Sequence, residues 1–177
     1  YMIESLLNSG KFQVYSFAGA IKHPNHEPFS TEEWQQNWIL QPVDGYGNPQ
    51  IVRQMLADWK PDIVWFMTDP RFYEWLWDME SDIRAIAPLV YYHVWDNYPY
   101  PKYNQRFYES NDMVVTISKV TSDIVQTVSP NVKERYIPHS LPPHLFHKIT
   151  NDSVDFKKVK KELFDGMGLS KIPDTLF

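Results

Sequence analysis

His93 and Asp96 stand three residues apart, with Asn97 beside the aspartate, directly after the apolar run Leu89-Val90-Tyr91-Tyr92. An imidazole and a carboxylate so placed can divide a proton-transfer task, one taking a proton from a substrate hydroxyl while the other orients it. The aromatic and proline stretch that follows, through Tyr98 and Tyr103, supplies ring faces suited to sugars, bases or cations. Polar groups also follow three other apolar runs. Thr68, Asp69 and Arg71 come after residues 62–67, Ser118 after 112–117, and His139 with Ser140 after 133–137. Each has a plainer reading. Asp69 and Ser118 are in position to cap helices, Thr68 to finish a strand, and Asp96-Asn97 to form an Asx turn. His93 fits either a functional role or a core histidine bonded to a backbone carbonyl, and His139 either a ligand contact or a surface loop.

Other chemistries find little support. His23 and His26 have a spacing compatible with two metal ligands, but Pro24 and the loop context make a poor site, and His139, His144 and His147 follow no ligand pattern. The expectation is that no metal is bound. There is no Walker-type glycine loop, no GxGxxG and no Gly-x-Ser-x-Gly elbow. The absence of cysteine excludes disulfides, thiolate metal sites and cysteine nucleophiles, and fits a reducing compartment.

The elements that must position these groups follow a regular rhythm. Met2–Asn8 reads as a helix closed by Gly10, and residues 11–19 as a strand. Ser30 with Glu33 forms a capping box expected to open a short helix at Thr31. Residues 37–43 make a second strand candidate, and Asn48-Pro49 start a helix to about Trp59. Strands are expected at 62–67, 89–94, 112–117 and 133–138. Helices are expected at 69–86, 101–110, 118–128 and 156–168. Short continuous apolar strands separated by helices predict a Rossmann-like, doubly wound, mainly parallel α/β sheet with helices on both faces. In such sheets ligands bind beyond the carboxyl ends of the strands, so the polar groups above should share one rim.

Composition narrows the partners. The 177 residues suffice for one domain with a proper core. A net charge of −5, with basic residues scattered except at Lys157–Lys161, argues against a duplex nucleic-acid binder. No apolar run approaches the ~20 residues of a membrane span and no signal peptide is evident, so a cytoplasmic location is expected, with membrane contact peripheral at most. Seven tryptophans exceed what a core of this size needs, so some rings are expected to face a ligand or partner. The start at Tyr1 and the new apolar run at the end read as cut boundaries.

The segments "KPDIVWFMTDP", "PLVYYHVWDN", "NDMVVTISKVTSDIV" and "VKERYIPHSLPPHLF" together resemble the N-terminal domain of a GT-B-fold glycosyltransferase of the group 1, or family 4, type. Ile137-Pro138-His139-Ser140 and Phe146 match that family's segment before the interdomain linker, with Ser140 in place of glycine and Pro142 or Pro143 where an aspartate is usual. The resemblance implies an acceptor-side domain at 1–150, lacking its first strand, and a linker helix with the start of a donor-binding domain at 151–177. The family's paired glutamates have no counterpart here. The implied activity, for the intact protein, is transfer of a sugar from a nucleotide-sugar to a glycan or small-molecule acceptor without metal or other cofactor. His93 or Asp96 would face the reacting sugar, and Thr68, Asp69, Arg71, Asn97, Tyr98, Tyr103, Ser118, His139 and Ser140 would lie on the substrate side. Alone, the segment is expected to be inactive and prone to dimerise through an unpaired strand edge. Two other classes remain open: a non-catalytic carbohydrate- or protein-binding module of the same fold, and a GT-B-like sugar-nucleotide epimerase.

Overall fold

A computed structural model describes residues 2–21, 26–146 and 156–168. The chain divides into two compact units, Tyr1–His139 and Ser140–Phe177. In the second, the described parts are a turn in which the amides of Leu145 and Phe146 donate to the Pro142 carbonyl, and the last helix. His23, His147 and the apolar run at the chain's end lie outside the described residues.

In the first unit, helix α1 (Met2–Asn8) ends at Gly10, whose φ of 67° is the left-handed turn glycine tolerates best. Strand β1 (Val14–Ala18) pairs parallel with β3 (Trp38–Pro42), and the two-residue β2 (Phe29–Ser30) pairs antiparallel with β3. The helix expected at Thr31 is therefore absent. Ser30 is held opposite Ile39, the Thr31 hydroxyl accepts from the Trp34 amide, and the chain returns through a 3-10 turn at Gln35–Asn37. Pairing β2 with β3 leaves only residues 31–37 for the connection, too few for a helix and a return.

Helix α2 (Pro49–Trp59) begins as expected, with the Asn48 carboxamide oxygen accepting from the Ile51 amide and Pro49 in the first turn. It buries Val52 and Leu56, one turn apart. Strands β4 (Val64–Met67), β5 (Leu89–His93), β6 (Met113–Thr116) and β7 (Glu134–Tyr136) then form an all-parallel sheet in sequence order. Between β4 and β5 the expected helix 69–86 is broken. It is a 3-10 turn at Pro70–Phe72, then α3 (Glu74–Trp77) and α4 (Glu80–Arg84). The chain breaks at Met79 (φ −111°, ψ 19°), and Met79 and Ile83, three and seven residues after Leu76, enter the core with it while Arg84 pairs with Glu80 at 3.0 Å.

A 3-10 turn at Lys102–Asn104 leads into α5 (Gln105–Glu109), and α6 (Lys119–Val128) buries Thr121, Ile124, Val125 and Val128 at helical spacing. The last helix, α7 (Phe156–Gly166), stands in the second unit with i,i+4 pairs Lys158–Glu162 and Lys161–Asp165. Because β4 to β7 are neighbours in chain order, right-handed crossovers place the connecting helices on one face. The core agrees, joining Phe66, Leu89, Tyr91 and Val114 from that face to residues of α2 through α6. On the opposite face Trp65 and Met67 of β4 are 39% and 49% exposed, while Tyr92 of β5 and Val115 of β6 are buried. The four-stranded parallel sheet is flanked by helices and compatible with a Rossmann-like fold, its strands lying in sequence order. Among the described residues no helix is long and apolar enough to cross a membrane.

Candidate functional site

Parallel strands end side by side, and the loops after β4 and β5 enclose a cavity of about 430 Å³. Asp69 and Arg71 form one side. The Asp69 carboxylate accepts from the Arg71 amide (3.0 Å), from its Nε (2.9 Å) and from its Nη2 (2.9 Å). Asp69 is thus a cap, as its position suggested, and also holds the guanidinium against the cavity. These bonds from Arg71 lower the Asp69 pKa against the opposing effect of partial burial, and the same pair raises that of Arg71.

The other side is the loop after β5 with the turn that follows it: Trp95, Asp96, Asn97, Tyr98 and Tyr103. The Trp95 indole donates to the Asn97 carbonyl at 3.1 Å and meets Tyr103 edge-on at 6.1 Å. Tyr98 meets Tyr100 edge-on at 5.2 Å, and the Tyr100 hydroxyl donates to Asp123 of α6 at 2.8 Å, which anchors the loop. Tyr98 and Tyr103 are 57% and 68% exposed, so their rings are open to a ligand. Asp96 has no ion pair or hydrogen bond among the described residues. It is the cavity's uncommitted carboxylate.

Of the residues expected at the site, Asp69, Arg71, Asp96, Asn97, Tyr98 and Tyr103 line this cavity together. His93 does not. It is fully buried, with Nδ1 2.7 Å from the Tyr91 hydroxyl and Nε2 2.8 Å from that of Tyr108. Burial pushes its pKa down to about 3, with the Asp69 charge opposing, so the ring is neutral. The ring therefore sits in the core with two tyrosine hydroxyls as partners in place of a carbonyl, and it does not line the cavity. Thr68 contributes its backbone, its carbonyl accepting from the Tyr91 hydroxyl at 2.7 Å. Ser118 is an N-cap: its hydroxyl accepts from the Thr121 amide at 3.1 Å. Ser118 and His139 do not line the cavity, because β6 and β7 lie one and two strands beyond β5, at ~4.8 Å per strand. His139 is exposed at the end of the first unit, and Ser140 opens the second.

Trp95 also lines the cavity, outside the residues expected at the site, and its place next to Asp96 is the sequence signal for it. A second cavity, of about 480 Å³, involves none of the expected residues. It opens at the carboxyl ends of β1 and β3, between Phe17, Gly19, Val43, Gly45, Tyr46 and Tyr73. Tyr46 stacks on Phe72 at 4.6 Å and meets Tyr73 edge-on at 5.5 Å, so residues 69–73 run from one cavity to the other. Its signal was the glycines placed after two strands, Gly19 and Gly45. Among the described residues no group of three or more His, Asp or Glu is arranged to hold a metal. Comparison with family models, with curated proteins and with solved structures finds no match.

Proposed function

We propose that this chain is the acceptor-side half of a GT-B-fold glycosyltransferase and that the cavity beyond β4 and β5 holds the hydroxyl-bearing acceptor. The observation that carries this reading is the meeting, in one cavity, of an uncommitted carboxylate (Asp96), a carboxylate–guanidinium pair (Asp69–Arg71) and the rings of Trp95, Tyr98 and Tyr103. Rings stack on the apolar faces of a sugar while carboxylates, amides and guanidinium groups hold its hydroxyls. The position, outside the carboxyl ends of parallel strands, is where such sheets bind ligands.

In an inverting reaction Asp96 accepts the acceptor hydroxyl's proton as that oxygen bonds to the donor's anomeric carbon. The bond from that carbon to the nucleotide's phosphate oxygen breaks, and the electron pair leaves with the nucleoside diphosphate. In a retaining reaction the same carboxylate holds the acceptor or stabilises positive charge at the sugar. His93, enclosed and neutral, is the base in neither.

The test is release of nucleoside diphosphate from a panel of nucleotide-sugars by the longest polypeptide its gene encodes. Asp96→Asn should lower turnover by about a hundredfold or more with the fold intact. Turnover equal to the parent's removes Asp96 from the mechanism. If no donor is consumed, the transferase reading fails, and the exposed rings of Tyr98 and Tyr103 favour a glycan-binding module.

A further inference from the structure

We infer that His93 is a positioning residue, held as the Nδ1–H tautomer in a one-way chain of hydrogen bonds that ties the two walls of the cavity together. The direction of the chain follows from its end. The Thr68 carbonyl can only accept, so the Tyr91 hydroxyl, 2.7 Å away, donates to it. Having spent its proton, Tyr91 must accept from His93 Nδ1 at 2.7 Å, and that nitrogen carries the hydrogen. In a neutral imidazole Nε2 is then bare, and the Tyr108 hydroxyl donates to it at 2.8 Å. Asn104 Nδ2 approaches the Tyr108 oxygen at 3.5 Å and closes the far end loosely.

Tyr91, His93, Tyr108 and Asn104 are buried and Thr68 is half-buried, and each link holds a different piece of the site. Thr68 precedes the Asp69–Arg71 pair on one wall, and Asn104 follows Tyr103 on the other. Tyr91 and His93 point to the same face of β5, two residues apart, while Tyr108 comes from α5. Among the described residues the imidazole is the one group hydrogen-bonded to both tyrosine hydroxyls. Burial keeps both phenols protonated, with Tyr108 pushed up to about 12, so both serve as donors across the working pH range. The inference takes only the cavity's position from the reading above, not its chemistry, and its test needs no ligand.

The experiment is long-range proton–nitrogen NMR of this chain with labelled histidine. The parent should show Nδ1 protonated and Nε2 bare at pH 7. Tyr91→Phe removes the acceptor at Nδ1 and should convert His93 to the Nε2–H form, whereas Tyr108→Phe should leave Nδ1–H in place. Two further variants separate the arms, since an asparagine amide reaches the position of Nδ1 and a glutamine amide that of Nε2. His93→Asn should shift the backbone signals of Asn104 and Tyr108 while sparing Thr68 to Arg71, and His93→Gln should do the reverse. An Nε2–H parent, a tautomer that Tyr91→Phe does not move, or equal disturbance of both walls by both variants overturns the inference. Failure here leaves the transferase reading standing, because the donor-turnover test does not depend on the tautomer.

Discussion

Replacing His93 by glutamine should flatten the acid side of the protein's stability profile. In the unfolded chain the imidazole titrates at its ordinary 6.5, and in the folded protein burial depresses it to about 3. The folded pKa is the lower one, so the unfolded state alone takes up the proton as pH falls below 6.5. Stability is fully present above that value and is lost progressively toward pH 3. At pH 5 the unfolded ring lies 1.5 units below its pKa, and at 1.36 kcal/mol per unit the native state loses about 2 kcal/mol relative to pH 7.5. At pH 4 the loss reaches about 3.4 kcal/mol by the same relation. Against the roughly 5–15 kcal/mol that typically holds a domain, this is a large fraction. The assay is urea unfolding followed by tryptophan fluorescence at pH 7.5 and 5.0, for parent and variant. The other five histidines and the carboxylates are common to both proteins and cancel in the difference. Asp69, whose pKa is also lowered, yields its contribution only below its ordinary 3.8 and so outside this window. The parent should lose about 2 kcal/mol more than His93→Gln between the two pH values. Equal losses would refute a buried neutral histidine, and with it the arrangement of Tyr91, His93 and Tyr108.

Three further outcomes follow from single contacts. A Cβ on Gly19 would overlap the Gly45 carbonyl oxygen, a backbone atom that has no side-chain freedom to move away. Gly19→Ala should therefore cost more than about 2 kcal/mol in urea unfolding, while Gly45→Ala, with open space but a φ of 58°, should cost about 1. Asp112 accepts from the Leu89 amide at 2.8 Å and from Arg84 at 3.0 Å, joining the starts of β5 and β6 to α4. Its carboxylate is partly solvated, so Asp112→Ala should destabilise by about 1–2 kcal/mol, and a change below 0.5 would show the fork to be spent on solvent. Ile83→Ala, at a fully buried position in the core, should cost about 2–5 kcal/mol, read as a shift in the urea midpoint with the slope unchanged.

The features readable in the chain are those whose causes lie within a few residues. The caps at Asn48 and Ser118 each close a bond to an amide three positions on, and both stand where the residue types placed them. The four parallel strands and most of their helices were legible from short apolar runs and punctuation. So was the gathering of Asp69, Arg71, Asp96, Asn97, Tyr98 and Tyr103, because the carboxyl ends of neighbouring parallel strands must meet at one edge. What was not legible depends on residues distant in the chain. The break of the expected helix at Met79 is not marked by any local stop signal, and the two-residue β2 depends on its pairing with β3. His93 is the sharpest case. Its place at the end of β5 and its neighbour Tyr91 are local, but Tyr108 comes fifteen residues later on α5 and occupies the nitrogen a substrate would have needed. Packing enclosed the imidazole and left the exposed Asp96 to face the cavity, since an uncompensated charge stays in water while a neutral ring with two partners can be buried.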